Sequence, residues 1–348
     1  MRRRIWVLLV AIPLVLVAAD VIVWRYSVSR LQSGFDAWVT ESRARGWTVQ
    51  TGSTTAGGWP FAATLTMTDA VVSGGAPAIP GGMTWDASRV VLRVDLLHPW
   101  MVDIAPEGVQ RLRFADGAEV PFVAEDMHAS LPLNAEQTLP VDLQTHGVRV
   151  MLPDEAIAER GVTIGRLEAH AEIAVTPTPE GSPLDFVISA ADISLPRGGR
   201  WPLGGSIASM TLDGAFDGPL PPPAPPAAAL AAWRDGGGSL EIQKFSVVWG
   251  PLNLSATATL AVDDQLQPMG AGTSRIIGYE ATLDALASNG VLTKSAATAA
   301  KAVLSLMASA PTADEASEVD VPLTLQYRTL SMRQVPLIRL PELDWPSR

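Results

Sequence analysis

Two short stretches contain the residue types that hydrolytic enzymes use. In the first, Asp126 and His128 lie two positions apart in a predicted strand, so their side chains share one face while Glu125 points to the other. A carboxylate beside an imidazole can act as a general acid and base. A solvated strand face explains the same pair more simply, and we favour that interpretation.

The second stretch is residues 204–208, Gly-Gly-Ser-Ile-Ala, which is similar to a nucleophile elbow around Ser206. It ends in alanine, and its surroundings predict a strand instead of the strand-then-helix turn that raises a catalytic serine. A hydrolase that uses Ser206 or the Asp126 and His128 pair is therefore the alternative function. Our main prediction is that the chain is not an enzyme and has no catalytic residues.

Patterns for metal or cofactor binding are missing from the sequence. The histidines at positions 98, 128, 146 and 170 lack the spacing of metal ligands, and no cysteine is present to supply thiolate ligands or disulfides. No glycine motif for phosphate or dinucleotide binding occurs. The net charge of −11 argues against nucleic-acid binding. We predict no cofactor, no metal and no nucleic-acid partner.

An apolar run at residues 5–24 follows three arginines at positions 2–4. As a helix it would extend about 30 Å, the thickness of a bilayer core. We predict that residues 1–24 form a single-pass transmembrane anchor, with the N-terminus in the cytoplasm and the rest of the chain exported. A signal peptide cleaved after Ala19 stays open, because residues 17–19 form a passable cleavage site.

Residues 25–46 are predicted to form a membrane-proximal helix that ends at Gly46. One stripe of this helix is apolar and is expected to pack on the rest of the chain. Its residues are Leu31, Phe35, Trp38 and Val39.

Beyond residue 46 apolar residues recur with period two, which is typical of strands. In the most regular stretch, the leucines at 252, 254 and 260 share one predicted face, and the polar residues at 253, 255 and 257 share the other. We predict a mainly β, α+β fold: a large curved antiparallel sheet or sandwich with one long alanine-rich helix, residues 280–308, packed on it. Asn289-Gly290 is expected to break that helix in two.

A proline-rich segment at residues 219–226 is predicted to connect a first β-rich part, residues 47–218, to a second, residues 227–348. The β pattern is alike on both sides, which favours a loop within one domain over a hinge between two. Short helices are expected over residues 154–160 and 227–233.

Several short motifs occur along the chain in a fixed order. They are Gly-Trp-Pro at 58–60, His-Pro-Trp at 98–100, Leu-Gly-Gly at 203–205, Leu-Asp-Gly at 212–214, Trp-Gly-Pro-Leu at 249–252 and Leu-Pro-Glu-Leu-Asp-Trp at 340–345. Together they resemble the bacterial domain-of-unknown-function family numbered 2125 over nearly the whole chain. Residues 257–259, Thr-Ala-Thr, depart from that pattern, which has a glycine there.

The resemblance implies an α-proteobacterial envelope protein with no assigned activity and no catalytic residues to transfer. The chain also resembles AsmA-type envelope proteins, which implies a membrane helix joined to a long β-sheet. We therefore predict a non-catalytic inner-membrane protein with a periplasmic β-rich domain. Its predicted partners are the inner membrane lipid bilayer and either a lipid or other apolar ligand or an envelope protein. Whether the apolar strand faces fill a closed core or line a groove stays open.

Overall fold

The structure is a computed structural model that describes residues 2–75, 82–114, 117, 119–151, 161–175, 182–219, 225–307, 318–332 and 335–345. Side chains are described from residue 12 onwards within these ranges, except at positions 13, 307, 335 and 337. The short helix predicted over residues 154–160 lies outside the described residues.

Four helices are found in the described part of the chain. They are α1 (Arg2–Ala44), α2 (Pro226–Asp235), α3 (Tyr279–Ser288) and α4 (Lys294–Met307). Among the side chains that are described, no helix has a stretch long and apolar enough to cross a membrane. Part of the predicted span, at residues 5–11 and 13, falls outside those side chains.

Seventeen strands are found in the described part of the chain. They are β1 (Thr48–Gln50), β2 (Thr54–Gly57), β3 (Ala62–Gly74), β4 (Met83–Asp95), β5 (Met101–Phe114), β6 (Val120–Val123), β7 (Asp126–Pro132), β8 (Thr138–Val150), β9 (Val162–Ala174), β10 (Leu184–Ser194), β11 (Ser206–Asp217), β12 (Ser239–Trp249), β13 (Leu252–Val262), β14 (Pro268–Ile277), β15 (Glu318–Gln326), β16 (Thr329–Met332) and β17 (Val335–Arg339).

All these strands belong to one antiparallel sheet in which neighbours in sequence are neighbours in space. Both β1 and β2 pair with β3, and β6 and β7 lie end to end between β5 and β8. From β8 to β17 each strand pairs with the next. The prediction of a large antiparallel sheet is confirmed, and it is a single sheet, not a sandwich. Strand β11 pairs with β12 across the proline-rich segment, so both β-rich parts contribute to it.

The strand registers give the sheet one apolar and one polar face. One row of directly paired residues crosses twelve strands, β3 to β5 and β7 to β15, and only its serine is polar: Leu65, Leu92, Ile104, Ala129, Leu143, Ala169, Ile188, Leu212, Phe245, Ala256, Ser274 and Val321. A row on the opposite face is polar except for one valine: Thr64, Arg93, Asp103, Ser130, Asp142, His170, Val187, Asp213 and Lys244. The predicted alternation at residues 252–260 is confirmed, because strand β13 spans it.

Helices pack on the apolar face near the first strands and near the last strands of the sheet. Helix α1 packs on β1 and β3, while α3 and α4 pack on each other and reach β13 and β15. The long helix predicted over residues 280–308 is two helices, as Asn289-Gly290 indicated. Gly290 has a φ of +75°, which ends α3, and the Thr293 hydroxyl accepts a hydrogen bond from the Ala296 N–H at the start of α4.

Candidate ligand-binding site

The predicted acid–base pair lies on the polar face of the sheet. The Asp126 carboxylate and the His128 ring are 3.7 Å apart; the Asp126 side chain is exposed, and that of His128 is half-buried. Across the sheet Asp126 is paired with His146, and Glu125 is placed by a backbone hydrogen bond to the same residue. The two residues share a face, as predicted, and neither lines the apolar cavity described below.

Ser206 begins strand β11 and is paired with Ser194 on β10. Its side chain is exposed, and the chain continues as a strand through Asp217. The sharp turn into a helix that a nucleophile elbow requires does not occur at this position.

One interaction on the polar face was not foreseen from the sequence. The His170 ring lies 2.7 Å from the Asp142 carboxylate on the adjacent strand and 3.7 Å from Glu172. The hydrogen bond to Asp142 raises the pKa of His170 above its ordinary value of 6.5. In the described part of the chain no group of three or more histidine, aspartate or glutamate side chains is arranged to hold a metal ion.

A large apolar cavity lies between helix α1 and the apolar face of the sheet. Its volume is about 1030 Å³, the upper end of the range for small-molecule sites. The sheet side is formed by strands β3, β4, β5 and β7, and its side chains are Met67, Ala70, Val72, Trp85, Val90, Leu92, Val94, Val102, Ile104 and Leu131. All of these are apolar, apart from the indole N–H of Trp85, which donates to the buried Gln110 at 3.1 Å.

The helix side of the cavity is formed by the stripe that the sequence predicts. Leu31, Phe35 and Trp38 line it, and Leu31 is buried. Gly34 lies between them, and a Cβ atom built there would meet nothing within 4 Å. The space beside Gly34 is therefore part of the cavity, and a larger side chain would enter it.

Polar side chains are few. Arg30, Ser27 and Ser33 line the cavity from α1, Thr51 lines it from the residue after β1, and Asn134 lines it from the loop after β7. Among the described residues no carboxylate lies within 4.0 Å of the Arg30 guanidinium. The site thus combines an apolar cavity with one cationic side chain, that of Arg30.

The cavity reaches the surface where β4 and β7 end and β5 begins. Tyr26, Trp100 and Leu133 line it and are themselves exposed. Trp100 lies in the β4–β5 loop and Leu133 follows β7, and the Leu133 N–H donates to the Trp100 carbonyl at 2.8 Å. An elongated ligand could enter between these two loops and helix α1.

Over residues 24–341 the chain matches the family described as an uncharacterized protein conserved in bacteria (DUF2125). The chain belongs to this family. The match includes every residue that lines the cavity and all the strands. No curated protein and no solved structure matches the chain. The likeness to AsmA-type proteins stays a prediction.

Proposed function

We propose that this protein is a membrane-anchored envelope protein that holds the acyl chain of a phospholipid in the apolar cavity, without catalysing a reaction. The observation that carries the proposal is the cavity itself, because about 1030 Å³ of space is lined mainly by aliphatic and aromatic side chains. Filling such a space with hydrocarbon removes apolar surface from water, at about 25 cal/mol for each Å² buried.

Arg30 favours an anionic lipid. Its guanidinium lies on the cavity wall and has no carboxylate partner among the described residues. An arginine can bind a phosphate group through two parallel hydrogen bonds. A phospholipid would then place its acyl chain against Val90, Leu92 and Ile104 and its phosphate at Arg30.

The membrane anchor at residues 1–24 is part of the proposal. It is supported by the apolar run of the sequence and by the continuity of that run with α1. Leu14, Leu16 and Ile22 are exposed in the isolated chain, and a bilayer would cover them. With three arginines before the run, the β-sheet would lie in the periplasm and the N-terminus in the cytoplasm.

Photo-cross-linking in intact membranes tests the proposal. Benzoylphenylalanine is placed at position 104, on the cavity wall, and, as a control, at position 338, an exposed isoleucine on the edge strand β17. We expect a lipid adduct from position 104 and none from position 338. A folded protein that gives no lipid adduct at position 104, or equal adducts at both, would contradict the proposal.

The proposed preference for an anionic phospholipid can be tested separately. We expect Arg30→Gln to lower the share of anionic phospholipid among the adducts, whereas Arg93→Gln, on the polar face of the sheet, should leave it unchanged. An unchanged lipid composition in the Arg30→Gln protein would remove the argument for phosphate recognition.

A further inference from the structure

A group of exposed apolar side chains surrounds the mouth of the cavity. Strand β3 begins at Ala62, β4 ends at Asp95, β5 begins at Met101 and β7 ends at Pro132, so the loops beside them lie at one end of the sheet. These loops expose Trp59, Phe61, Leu97, Trp100 and Leu133. We call these five residues the apolar rim.

The rim is exposed to an extent that is unusual for such side chains. Phe61 is 76% exposed and Leu97 is 79% exposed. Hydrogen bonds hold the loops in place, since the Leu96 N–H donates to the Phe61 carbonyl at 3.1 Å. The side chains therefore point outward from ordered loops, and no helix or strand of the described chain covers them.

The rim is tied to helix α1 at the level where the predicted anchor ends. The indole N–H of Trp24 donates to the carbonyl of Gly57 at 3.0 Å, and Gly57 directly precedes the loop that carries Trp59 and Phe61. Tryptophan is typical of the interface between lipid and water. A helix that places Trp24 at that interface places the rim at the same depth.

The charges of these loops also suit a bilayer surface. Residues 57–61 and 96–100 contain no lysine, arginine, aspartate or glutamate, and the loop after β7, residues 133–137, contains one charged residue, Glu136. Since the chain as a whole carries a net charge of −11, attraction to anionic headgroups cannot hold it there. Insertion of aromatic and leucine side chains is the contact that this surface can make.

We propose that the apolar rim inserts into the outer surface of the bilayer in which the protein is anchored, so that the mouth of the cavity opens directly onto the lipid leaflet. Trp100 and Leu133 belong both to the rim and to the cavity wall, so a lipid would pass from the leaflet into the cavity without crossing water. This inference rests on the proposed membrane anchor.

The chain contains no cysteine, so single cysteines can be labelled without background. Leu97→Cys reports on the rim. Leu306→Cys is its matched control, a leucine that is 88% exposed on α4, at the opposite end of the sheet. Val17→Cys reports on the anchor. Each full-length protein is labelled with a nitrobenzoxadiazole fluorophore and placed in nanodiscs of phosphatidylethanolamine and phosphatidylglycerol, with or without spin-labelled lipid.

We expect the spin-labelled lipid to quench most of the emission at positions 17 and 97 and to leave position 306 unchanged. If the probe at position 17 is quenched and the probe at 97 behaves like the one at 306, the insertion of the rim is contradicted and the anchor is not. Quenching at 97 without quenching at 17 would overturn the anchor and support the rim as a separate membrane contact. A probe at 97 that is shielded from water but not quenched by lipid would mean that a protein covers the rim, which contradicts the inference.

Discussion

The same apolar sheet face is covered in two different ways at its two ends. At the end formed by β3 to β7 a single helix, α1, leaves a cavity of about 1030 Å³. At the end formed by β14 to β16 two helices, α3 and α4, pack on the sheet, and Val319 there is 0% exposed. The two ends therefore differ in how much of the apolar face the helices cover.

The geometry of a helix on a sheet explains the difference. A helix is about 10 Å wide and strands are about 4.8 Å apart, so one helix covers roughly two strands. Helix α1 packs on the edge strand β1 and on β3 beside it, and the apolar residues of β5 and β7, such as Ile104 and Leu131, line the cavity. At the other end Leu283 of α3 and Leu304 of α4 pack together on Val319 and Val321.

The side chains on the helices add to this difference. Between the large residues of the α1 stripe lie Ser27 and Gly34, which leave space toward the sheet. In contrast, α4 is rich in alanine, and Ala297 is buried at its contact surface. Small side chains let a helix approach closely, as the sequence of α4 predicted.

The largest expected effect comes from placing a carboxylate at each of the two ends in turn. Val319→Asp would bury an unpaired carboxylate in a closed core, at a cost of several kcal/mol, so we expect the protein not to fold stably. Val72→Asp faces the cavity, where water can reach the carboxylate, and we expect it to fold. Thermal unfolding followed by circular dichroism distinguishes these outcomes. Equal losses in both variants would mean that the cavity end is as closed as the other.

A truncation that introduces no charge compares a buried leucine with a half-buried one. Leu65 is 2% exposed beneath α1, whereas Leu254 on β13, a strand that α3 contacts, is only half-buried. We expect Leu65→Ala to lower the free energy of unfolding by about 2–5 kcal/mol and Leu254→Ala to lower it by less. Urea titration measures both. A Leu254→Ala loss as large as that of Leu65→Ala would show that Leu254 is packed as tightly as Leu65.

Local patterns were sufficient to predict the elements of this fold. The alternation at Leu252, Leu254 and Leu260 predicted strand β13, because period two leaves only one apolar face. Gly46 and Gly290 predicted helix ends, and both have a positive φ. The apolar stripe at Leu31 and Phe35 predicted that α1 would pack on the rest of the chain.

The cavity itself could not be predicted, because it depends on which strands helix α1 leaves uncovered. That in turn depends on strand pairings such as Leu92 with Ile104, which no local pattern specifies. The same limit applies to His170 and Asp142, which are 28 positions apart and meet only through the register of β8 and β9. Period two predicts the face of a residue but not the residue that lies opposite it.

The smallest expected effect concerns the polar face of the sheet, which neither end in the comparison involves. Because the folded-state pKa of His170 is raised above 6.5, its pairing stabilises the protein fully below the unfolded-state pKa, and this contribution is lost as pH rises through the folded-state pKa. Both side chains are about half exposed, so the effect should stay below about 1 kcal/mol. We expect His170→Asn to reduce the gain in melting temperature between about pH 8 and pH 6. A variant with the full gain would show that His170 is not responsible.

The most direct test of the central claim is to fill the cavity with a side chain and to measure how much lipid stays bound to the protein. Gly34→Trp places an indole in the open space beside α1, and Gly205→Trp is its control at a glycine with equally free surroundings outside the cavity. Mass spectrometry of lipids that co-purify with each detergent-extracted protein is the measurement. We predict bound phospholipid in the wild-type and Gly205→Trp proteins and its loss from a stably folded Gly34→Trp protein. An unchanged lipid content in the Gly34→Trp protein would contradict the assignment of the cavity as a lipid site.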